Sequence, residues 1–290
     1  MSTKRSAWEI VQIARDPKRI TTQYIIENVF TDFMEMHGDK LFADDAAMIG
    51  GIGYLDDIPV TVVGQEKGTD LRDKVARNFG CSNPEGYRKS LRLLRQAEKF
   101  KRPVVCIIDT QGAFCGVGAE ERGVAESIAR NLLELSRLKT PVISIFIGEG
   151  GSGGAIALGV ADKRVMLENA LYSILSPEGF SSILWKDSSR AAEAAELMRM
   201  TAAEIKEMGL IDDVLSEPEG GAQSGDNGKF ASNTLLTASK NCKRNPSISC
   251  CKSAMIRSGR SDRMQSQNDK RYKREAECFP FFVAYVMIKV

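Results

Sequence analysis

Hydrophobic residues recur along the chain with two different spacings, which predict an alternation of helices and strands. A three- and four-residue spacing predicts helices over residues 8–37 (with a break at Pro17), 84–100, 119–138, 189–198 and 201–207. Short runs rich in β-branched residues predict strands at 48–54, 60–63, 104–108, 142–147, 164–167 and 171–174. Ser176, Pro177 and Glu178 form a typical helix start, so one more helix is predicted from Ser176 through Trp185. Thr201 and Glu204 have the spacing of a capping box, and the predicted apolar stripe of the helix 84–100 consists of Tyr87, Leu91, Leu94 and Ala97.

A unit of strand, glycine-rich loop and helix occurs twice in succession. The strand Val104–Ile108 runs into the loop Asp109–Gly118, and the strand Val142–Ile147 runs into Gly148–Gly154. Two such units predict a parallel sheet that carries both loops at its carboxyl edge. Five glycines lie within residues 148–154. They leave backbone N–H groups uncovered at the positive end of a helix, which favours binding of a negatively charged oxygen.

Composition and charge exclude several classes of protein for this chain. The chain has 290 residues and seven cysteines without a Cys-x-x-Cys pair, so we expect neither zinc nor a disulfide framework. The net charge of +2 divides into −6 over residues 1–222 and +8 over 223–290. A nucleic-acid-binding surface is therefore not expected on the acidic part. Without a long apolar run or a signal-peptide pattern, the prediction is a cytoplasmic protein that does not enter the membrane.

The second glycine loop also permits an alternative, a dinucleotide site. Gly148-x-Gly150-x-x-Gly153 follows a strand, and Glu168 lies twenty residues beyond Gly148. This pattern is typical of NAD-binding dehydrogenases. Against it, the intervening helix has room for only about ten residues, and an equally glycine-rich loop precedes it. A phosphate-binding loop of the Gly-Lys-Ser/Thr type is absent from the sequence.

Few side chains are suited to catalysis. The single histidine, His37, is predicted to end a helix, and Ser152 has no evident base as a partner. Cys115 lies in the first glycine loop, where it is a possible nucleophile or simply a small apolar residue. Lys67 lies between glycines directly after a strand, so it is a candidate to reach an anionic ligand. The catalytic groups that remain are backbone N–H groups, which can donate hydrogen bonds to an oxyanion.

Several motifs together resemble the α subunit of the carboxyltransferase of bacterial acetyl-CoA carboxylase. They are GEGGSGGA at 148–155, GAFCGVGAEERG at 112–123, PEGYRK at 84–89 and SILWK at 182–186. The resemblance covers about residues 7–222. It implies an α/β fold of the crotonase type, built from repeated ββα units with flanking helices. It further implies an N-terminal helical segment at 1–40 and a carboxyltransferase domain at 41–222.

The resemblance also implies a reaction and its partners. The family transfers a carboxyl group from carboxybiotin, held on a separate carrier protein, to acetyl-CoA. The product is malonyl-CoA, the first committed intermediate of fatty-acid synthesis. Activity requires a β subunit in an α2β2 assembly, which also works with the biotin carboxyl carrier protein and with biotin carboxylase, where ATP is used. The zinc ribbon of the family belongs to the β subunit, so no metal is expected in this chain.

The family's site residues carry over onto matching positions. Gly153 and Gly154 would form an oxyanion hole with their backbone N–H groups, without help from a side-chain base. The positions predicted to bind substrate are Gly112, Ala113, Gly116, Val117, Gly118, Gly150, Gly151 and Lys67. A Gly154→Val change is expected to abolish transfer with little effect on folding.

Two departures from the family pattern bear on these expectations. Gln111 stands where the family has proline after Asp109-Thr110, which changes the stiffness of the first glycine loop. Beyond Ala222 the family continues with a histidine-containing segment and a helix, whereas this chain changes abruptly in character. We therefore predict that residues 223–290 form a disordered tail and that stability or assembly is impaired.

Overall fold

A sheet of eight strands forms the centre of the part of the chain that the structure describes, and the helices pack against it. The computed structural model describes residues 5–218 and 221–223. The strands are β1 (Thr31–Glu35), β2 (Met48–Leu55), β3 (Ile58–Gln65), β4 (Val104–Thr110), β5 (Val142–Gly151), β6 (Lys163–Leu167), β7 (Leu171–Ser173) and β8 (Asp213–Leu215). The helices are α1 (Ala7–Ala14), α2 (Thr22–Val29), α3 (Leu71–Ala76), α4 (Pro84–Lys99), α5 (Val117–Glu121), α6 (Val124–Arg137), α7 (Ser152–Gly159), α8 (Pro177–Trp185), α9 (Ala191–Met198) and α10 (Ala202–Glu207).

The sheet is antiparallel at one side and parallel through its middle. Its strand order is β1-β2-β3-β4-β5-β6-β8, and β7 pairs with the last residues of β5. Strand β2 is antiparallel to both β1 and β3. From β3 to β8 every pairing is parallel. The carboxyl ends of β3, β4 and β5 therefore meet at one edge of the sheet, as predicted for the two glycine loops.

The regularly spaced apolar residues of the sequence lie on the buried faces of the helices and strands. Strand β4 is buried along its whole length, which is typical of a parallel strand covered on both faces. The predicted stripe of α4 is confirmed, because Tyr87, Leu91, Leu94 and Ala97 are all buried. Tyr87, Leu94 and Ala97 belong to one large hydrophobic cluster that also includes the central strands.

Side chains at helix starts explain where several helices begin. Thr201 and Glu204 form the predicted capping box of α10. The hydroxyl of Ser176 accepts a hydrogen bond from the N–H of Gly179, and Pro177 occupies the first helical position of α8. These caps satisfy N–H groups that have no acceptor within the helix, so both starts are fixed by local sequence.

The prediction of helix through residue 37 is wrong at its end. Helix α2 stops at Val29, and Thr31–Glu35 forms the edge strand β1 against β2. The apolar residues that suggest a continuing helix also suit an extended edge strand, and pairing with β2 decides between the two. His37 consequently follows a strand, with its Nδ1 atom 2.8 Å from the Asp44 carboxylate.

The predicted long helix over 119–138 is two helices. Gly123 has a φ angle of +79° and separates α5 from α6. A residue in this left-handed region interrupts the helical hydrogen bonds, and glycine adopts it without steric cost. Helix α5 is therefore a separate short helix that directly follows the loop after β4.

A buried ion pair attaches the end of the described chain to its beginning. The Arg19 guanidinium donates to both carboxylate oxygens of Glu217, at 2.6 and 2.8 Å, and to the carbonyl oxygen of Ile147 in β5. Burial favours a raised pKa for Glu217, but the hydrogen bonds and charge of Arg19 outweigh it and hold the pKa below its ordinary value. Gln223 continues this attachment through a bridge to Arg19.

The predicted tail extends past the part of the chain that the structure describes. Only Gln223 of the predicted tail 223–290 is described, so the expectation of disorder stays a prediction. In residues 5–218 and 221–223, no helix has the length and apolar character needed to cross a lipid bilayer.

Candidate active site

Three segments of the chain converge where β3, β4 and β5 end. The register places Gly64 of β3 beside Ile107 of β4, and Thr110 of β4 beside Gly150 of β5. The segments that follow are Glu66–Asp70, Gln111–Gly116 and helix α7. Because they leave adjacent parallel strands at the same edge, their backbones face one another across a short distance. This edge is the candidate site.

Helix α7 begins directly at the end of β5, without an intervening loop. Strand β5 continues through Gly151, and Ser152 makes the turn with a φ angle of +47°. Among the described residues no side chain caps α7. The first N–H groups of a helix have no acceptor within it, so those of Ser152, Gly153 and Gly154 are available as donors. The helix dipole adds partial positive charge at the same point.

The first glycine loop lies against this helix start with almost no space between the two backbones. A Cβ atom on Gly154 would lie 2.6 Å from the carbonyl carbon of Gly112 and 2.9 Å from the nitrogen of Ala113. The Thr110 hydroxyl holds the loop, since it donates to the Gly112 carbonyl oxygen at 2.7 Å and accepts from the Gly112 N–H at 3.1 Å. The structure thus brings Gly112, Ala113 and Gly154 together, as predicted.

Gly153 has a more open surrounding than Gly154. A Cβ atom on Gly153 would make only an ordinary contact, 3.4 Å from Cδ1 of Ile128, and the residue is half-buried. A ligand can therefore approach the backbone of Gly153, whereas Gly154 is covered by the first loop. Gly153 is therefore the more accessible of the two predicted donors, and the role of both residues as an oxyanion hole stays a prediction.

Gly150 and Gly151 serve close packing within the sheet. A Cβ atom on Gly150 would lie 2.6 Å from the Phe146 ring, and one on Gly151 would overlap the carbonyl oxygen of Gln111. Both residues pair with β7, where Tyr172 lies beside Gly150. These contacts explain why side chains are excluded, and substrate binding by the two glycines stays a prediction.

Gly116, Val117 and Gly118 lie at the start of α5. Gly116 is the N-cap of this helix, and the side chain of Val117 is 77% exposed. A Cβ atom on Gly118 would approach the guanidinium of Arg122 at 2.9 Å. The three residues follow the first glycine loop directly, and their predicted role as a wall of the site stays a prediction.

Lys67 does not present a free cation. Its ammonium lies 2.6 Å from the Asp109 carboxylate and 2.9 Å from the Glu149 carboxylate. The structure therefore corrects the expectation that Lys67 reaches an anionic ligand, since two internal carboxylates already hold its charge. Sequence spacing could not reveal this arrangement, because Lys67, Asp109 and Glu149 follow or end three different strands.

A chain of charges continues from Lys67 toward the N-terminal helix. Glu149 also pairs with Arg15 at 2.8 Å, and Arg15 pairs with Glu178 at 2.7 Å. Burial opposes the charge of Glu149, but Lys67 and Arg15 outweigh it and lower the pKa of this carboxyl. Asp109 has Lys67 as its cation and is more deeply buried, so burial prevails and raises its pKa. The network joins α1, β4, β5 and α8.

Comparison with known proteins assigns the chain to a family. A sequence model described as acetyl co-enzyme A carboxylase carboxyltransferase-like matches residues 1–265. The chain belongs to this carboxyltransferase family. The curated relatives carry the name acetyl-coenzyme A carboxylase carboxyl transferase subunit alpha.

Three relatives show how much of the chain aligns with known sequences of this family. The Clostridium botulinum (strain Eklund 17B) protein is 65% identical over 217 residues, which are 75% of this chain and 79% of that protein. The Shouchella clausii protein is 60% identical over 74% of this chain and 67% of its own length. A Clostridium tetani relative named subunits beta/alpha is 54% identical over 81% of this chain and 40% of its length.

Solved structures show the fold of the carboxyltransferase. Transcarboxylase 12S superimposes on 91% of this chain and 46% of its own, with a TM-score of 0.64 and 15% identity. A Pseudomonas malonate decarboxylase hetero-tetramer in complex with coenzyme A covers 74% of this chain and 90% of its own, with a TM-score of 0.58 and 16% identity. The fold is of the crotonase type, as the resemblance predicts.

The dinucleotide-binding alternative is not supported for this carboxyltransferase. Gly148 and Gly150 lie inside the paired strand β5 and not in a turn between strand and helix. A Cβ atom on Gly148 would overlap the Asp109 carboxylate, so this glycine is needed for packing. The Glu168 carboxylate accepts a hydrogen bond from the N–H of Glu217, on the far side of β6 in the sheet order.

Sequence reasoning missed Gln65, the last residue of β3. Its side chain is fully buried, and its Nε2 atom donates to the carbonyl oxygen of Gly154 at 2.7 Å. An amide within an otherwise apolar strand is the only signal in the sequence, because buried polar groups need partners. The described residues contain no group of three or more His, Cys, Asp or Glu residues that could hold a metal ion.

The cysteines near the site differ in accessibility, which leads to a testable difference in reactivity. Cys115 is exposed, whereas Cys81 is half-buried and Cys106 buried. Burial raises the pKa of the Cys81 thiol, and a thiolate is the reactive form. Iodoacetamide at pH 7.5 should therefore alkylate Cys115 several-fold faster than Cys81 and Cys106. Peptide mass spectrometry at each position measures this, and equal rates would contradict the exposure of the loop.

Proposed function

We propose that this chain is the α subunit of an acetyl-CoA carboxylase carboxyltransferase. It transfers the carboxyl group of carboxybiotin to acetyl-CoA and so forms malonyl-CoA for fatty-acid synthesis. The names of the relatives support this assignment. The structural observation that carries it is the uncapped start of α7, which the backbone of Gly112 and Ala113 flanks without any side chain between them.

The proposed chemistry relies on backbone donors. The N–H groups of Gly153 and Gly154 donate hydrogen bonds to the oxygen on which negative charge develops while the carboxyl group is transferred. Such donors need no reorganisation during the reaction, because the first turn of α7 fixes their directions. Carboxybiotin supplies both the carboxyl group and the base for the acetyl methyl group. This agrees with the single histidine of the sequence, which contacts Asp44 in the structure.

The residues around the donors are suited to a flat, uncharged ring system. Gly112, Ala113, Gly116, Val117 and Gly118 form the wall opposite α7, and none of them carries a charge. The donor set consists of uncapped N–H groups, which match the carbonyl and carboxyl oxygens of carboxybiotin. Gly150 and Gly151 shape the strand end beneath α7, and Lys67 acts on the site through Asp109 and Glu149.

The active enzyme requires partners that complete the site. The β subunit binds acetyl-CoA and faces α7, and the biotin carboxyl carrier protein delivers carboxybiotin. Biotin carboxylase, which uses ATP, recharges the carrier, and the carboxyltransferase is an α2β2 assembly in the cytoplasm. The Clostridium tetani relative named subunits beta/alpha supports a close association between the two kinds of subunit. The chain itself holds no metal in this proposal.

The test is reconstitution from purified α and β subunits. We expect biotin-dependent decarboxylation of malonyl-CoA, the reverse reaction, only when both subunits are mixed. Each subunit alone is the control, and the amount of complex is measured by gel filtration in the same samples. A complex without biotin-dependent activity would contradict the proposed function, whereas absence of a complex would agree with the predicted impairment of assembly. Thermal stabilisation of this chain by NAD would favour the rejected alternative.

A further inference from the structure

Gln65 and Lys67 extend from the end of β3 toward the two elements that form the candidate oxyanion site. They lie two residues apart, so in an extended chain their side chains leave on the same face. Gln65 contacts α7, whereas Lys67 contacts the ends of β4 and β5. One short segment therefore touches both glycine-containing elements.

The Gln65 amide holds the first turn of α7. Its Nε2 atom donates to the Gly154 carbonyl oxygen at 2.7 Å, and the strand end is itself held by the Thr22 hydroxyl, which donates to the Gln65 carbonyl oxygen at 2.5 Å. The Oε1 atom of Gln65 is buried and has no hydrogen-bond partner in residues 5–218 and 221–223. A buried oxygen without a partner disfavours folding, so stability does not explain a glutamine at this position.

Lys67 fixes the positions of the ends of β4 and β5 relative to each other. Its ammonium bridges Asp109 near the end of β4 and Glu149 near the end of β5. Asp109 also accepts the N–H of Glu149 at 2.9 Å, so the same carboxylate joins both strands. Replacement of buried ion pairs by apolar residues is often neutral or stabilising. Removal of Lys67 alone, however, would leave two buried carboxylates without this cation and destabilise the fold. The bridge therefore contributes to stability and also fixes the ends of β4 and β5 relative to each other.

We propose that Gln65 and Lys67 are positioning residues that fix the first turn of α7 against the Gly112–Ala113 backbone. This inference rests on the proposed function, in which the N–H groups of Gly153 and Gly154 stabilise an oxyanion. Lys67 fixes the end of β4 relative to the end of β5. Gln65 fixes the orientation of α7 about its own axis. Displacement of a catalytic group by about 1 Å costs roughly 100-fold in rate, so both contacts affect turnover.

The test compares three methionine variants of the full chain. Gln65→Met keeps the length of the side chain but removes the donor. Lys67→Met removes the bridge, and Lys67→Arg restores the positive charge. Lys89→Met is the matched control, because Lys89 is also a buried lysine paired with a carboxylate, that of Asp44, at a place away from the strand ends.

With the β subunit present, we expect Gln65→Met and Lys67→Met to lower kcat by about 10- to 100-fold with little change in KM. Lys67→Arg should recover part of the loss. Gln65→Met should keep the unfolding temperature of the original chain. Lys67→Met and Lys89→Met should both lower it, because each removes the cation of a buried ion pair, but Lys89→Met should keep kcat. Unchanged kcat in both site variants would overturn the proposal. A loss of activity that simply follows the unfolding temperature across the four variants would overturn it as well.

Hydrogen–deuterium exchange of the chain alone provides a readout that does not depend on activity. Gln65→Met and Lys67→Met should speed exchange in the peptide covering α7 and leave α4 unchanged, and Lys89→Met should do the opposite. Unchanged exchange in α7 would overturn the positioning role. If the original chain lacks biotin-dependent activity while exchange behaves as expected, the proposed function fails and the structural coupling stands.

Discussion

Gly154→Ala is expected to reduce carboxyl transfer by at least about 100-fold, the loss typical of a removed oxyanion-hole donor. A methyl group on Gly154 would press on the carbonyl carbon of Gly112 at 2.6 Å and on its oxygen at 2.8 Å. Both contacts are with backbone, which cannot rotate away as a side chain can. The first turn of α7 and the first glycine loop must therefore separate, and the donors leave their positions.

The assay is biotin-dependent decarboxylation of malonyl-CoA in the presence of the β subunit, with Gly159→Ala as control. Gly159 ends the same helix, but a Cβ atom there would make an ordinary contact, 3.6 Å from the Phe146 ring. This variant should be nearly as active as the original chain. Equal activity of Gly154→Ala and Gly159→Ala would contradict the account. The contacts also correct the expectation that Gly154→Val leaves folding unaffected, because the larger side chain displaces the same backbone.

Arg19→Leu is expected to lower the free energy of unfolding by about 3–5 kcal/mol, the range for a buried ion pair that loses one partner. The side chains of Arg19 and Glu217 are only 4% and 0% exposed. Without Arg19, the Glu217 carboxylate keeps hydrogen bonds from Asn169 and Ala222 but no longer has the cation that balances its charge. Urea denaturation at neutral pH measures the change.

An exposed ion pair provides the control for this prediction. Arg130 and Glu126 pair on α6 with side chains that are 62% and 65% exposed, so Arg130→Leu should change stability by less than about 1 kcal/mol. Similar effects of the two variants would contradict the buried arrangement.

The effect of Arg19→Leu should also depend on pH. Arg19 holds the pKa of Glu217 below its ordinary value of 4.5, so its stabilisation is present above that pH and is lost as the pH falls further. The difference between the original chain and Arg19→Leu should therefore shrink in acid. A difference that stays constant from pH 7 to pH 3 would indicate that Glu217 is not the partner whose charge matters.

Elements with local signals could be predicted from the sequence. The capping box of Thr201 and Glu204, the start of α8 at Pro177 and the apolar stripe of α4 all depend on residues close together in the chain. The placement of both glycine loops at one edge followed from two successive strand, loop and helix units. The resemblance to a known family added the oxyanion role of Gly153 and Gly154, which spacing alone could not supply.

Features that depend on distant partners were beyond the sequence. Strand β1 forms where the local pattern suggests helix, because β2 offers backbone partners at the sheet edge. The sequence predicts that Lys67 binds a ligand. Its two actual carboxylate partners lie on other strands, so local sequence does not reveal them. Gln65 contacts a residue 89 positions away. In each case a tertiary contact decides the structure, and the spacing of residues in the sequence does not indicate such a contact.

In the proposed mechanism, main-chain donors at the start of α7 hold an oxygen of the biotin group. The most direct measurement is an experimental structure of the complex with the β subunit and biotin. We expect distances of about 2.7–3.1 Å from a ring carbonyl oxygen to the nitrogens of Gly153 and Gly154. A biotin ring bound elsewhere, with those N–H groups directed at solvent or at other protein atoms, would contradict it.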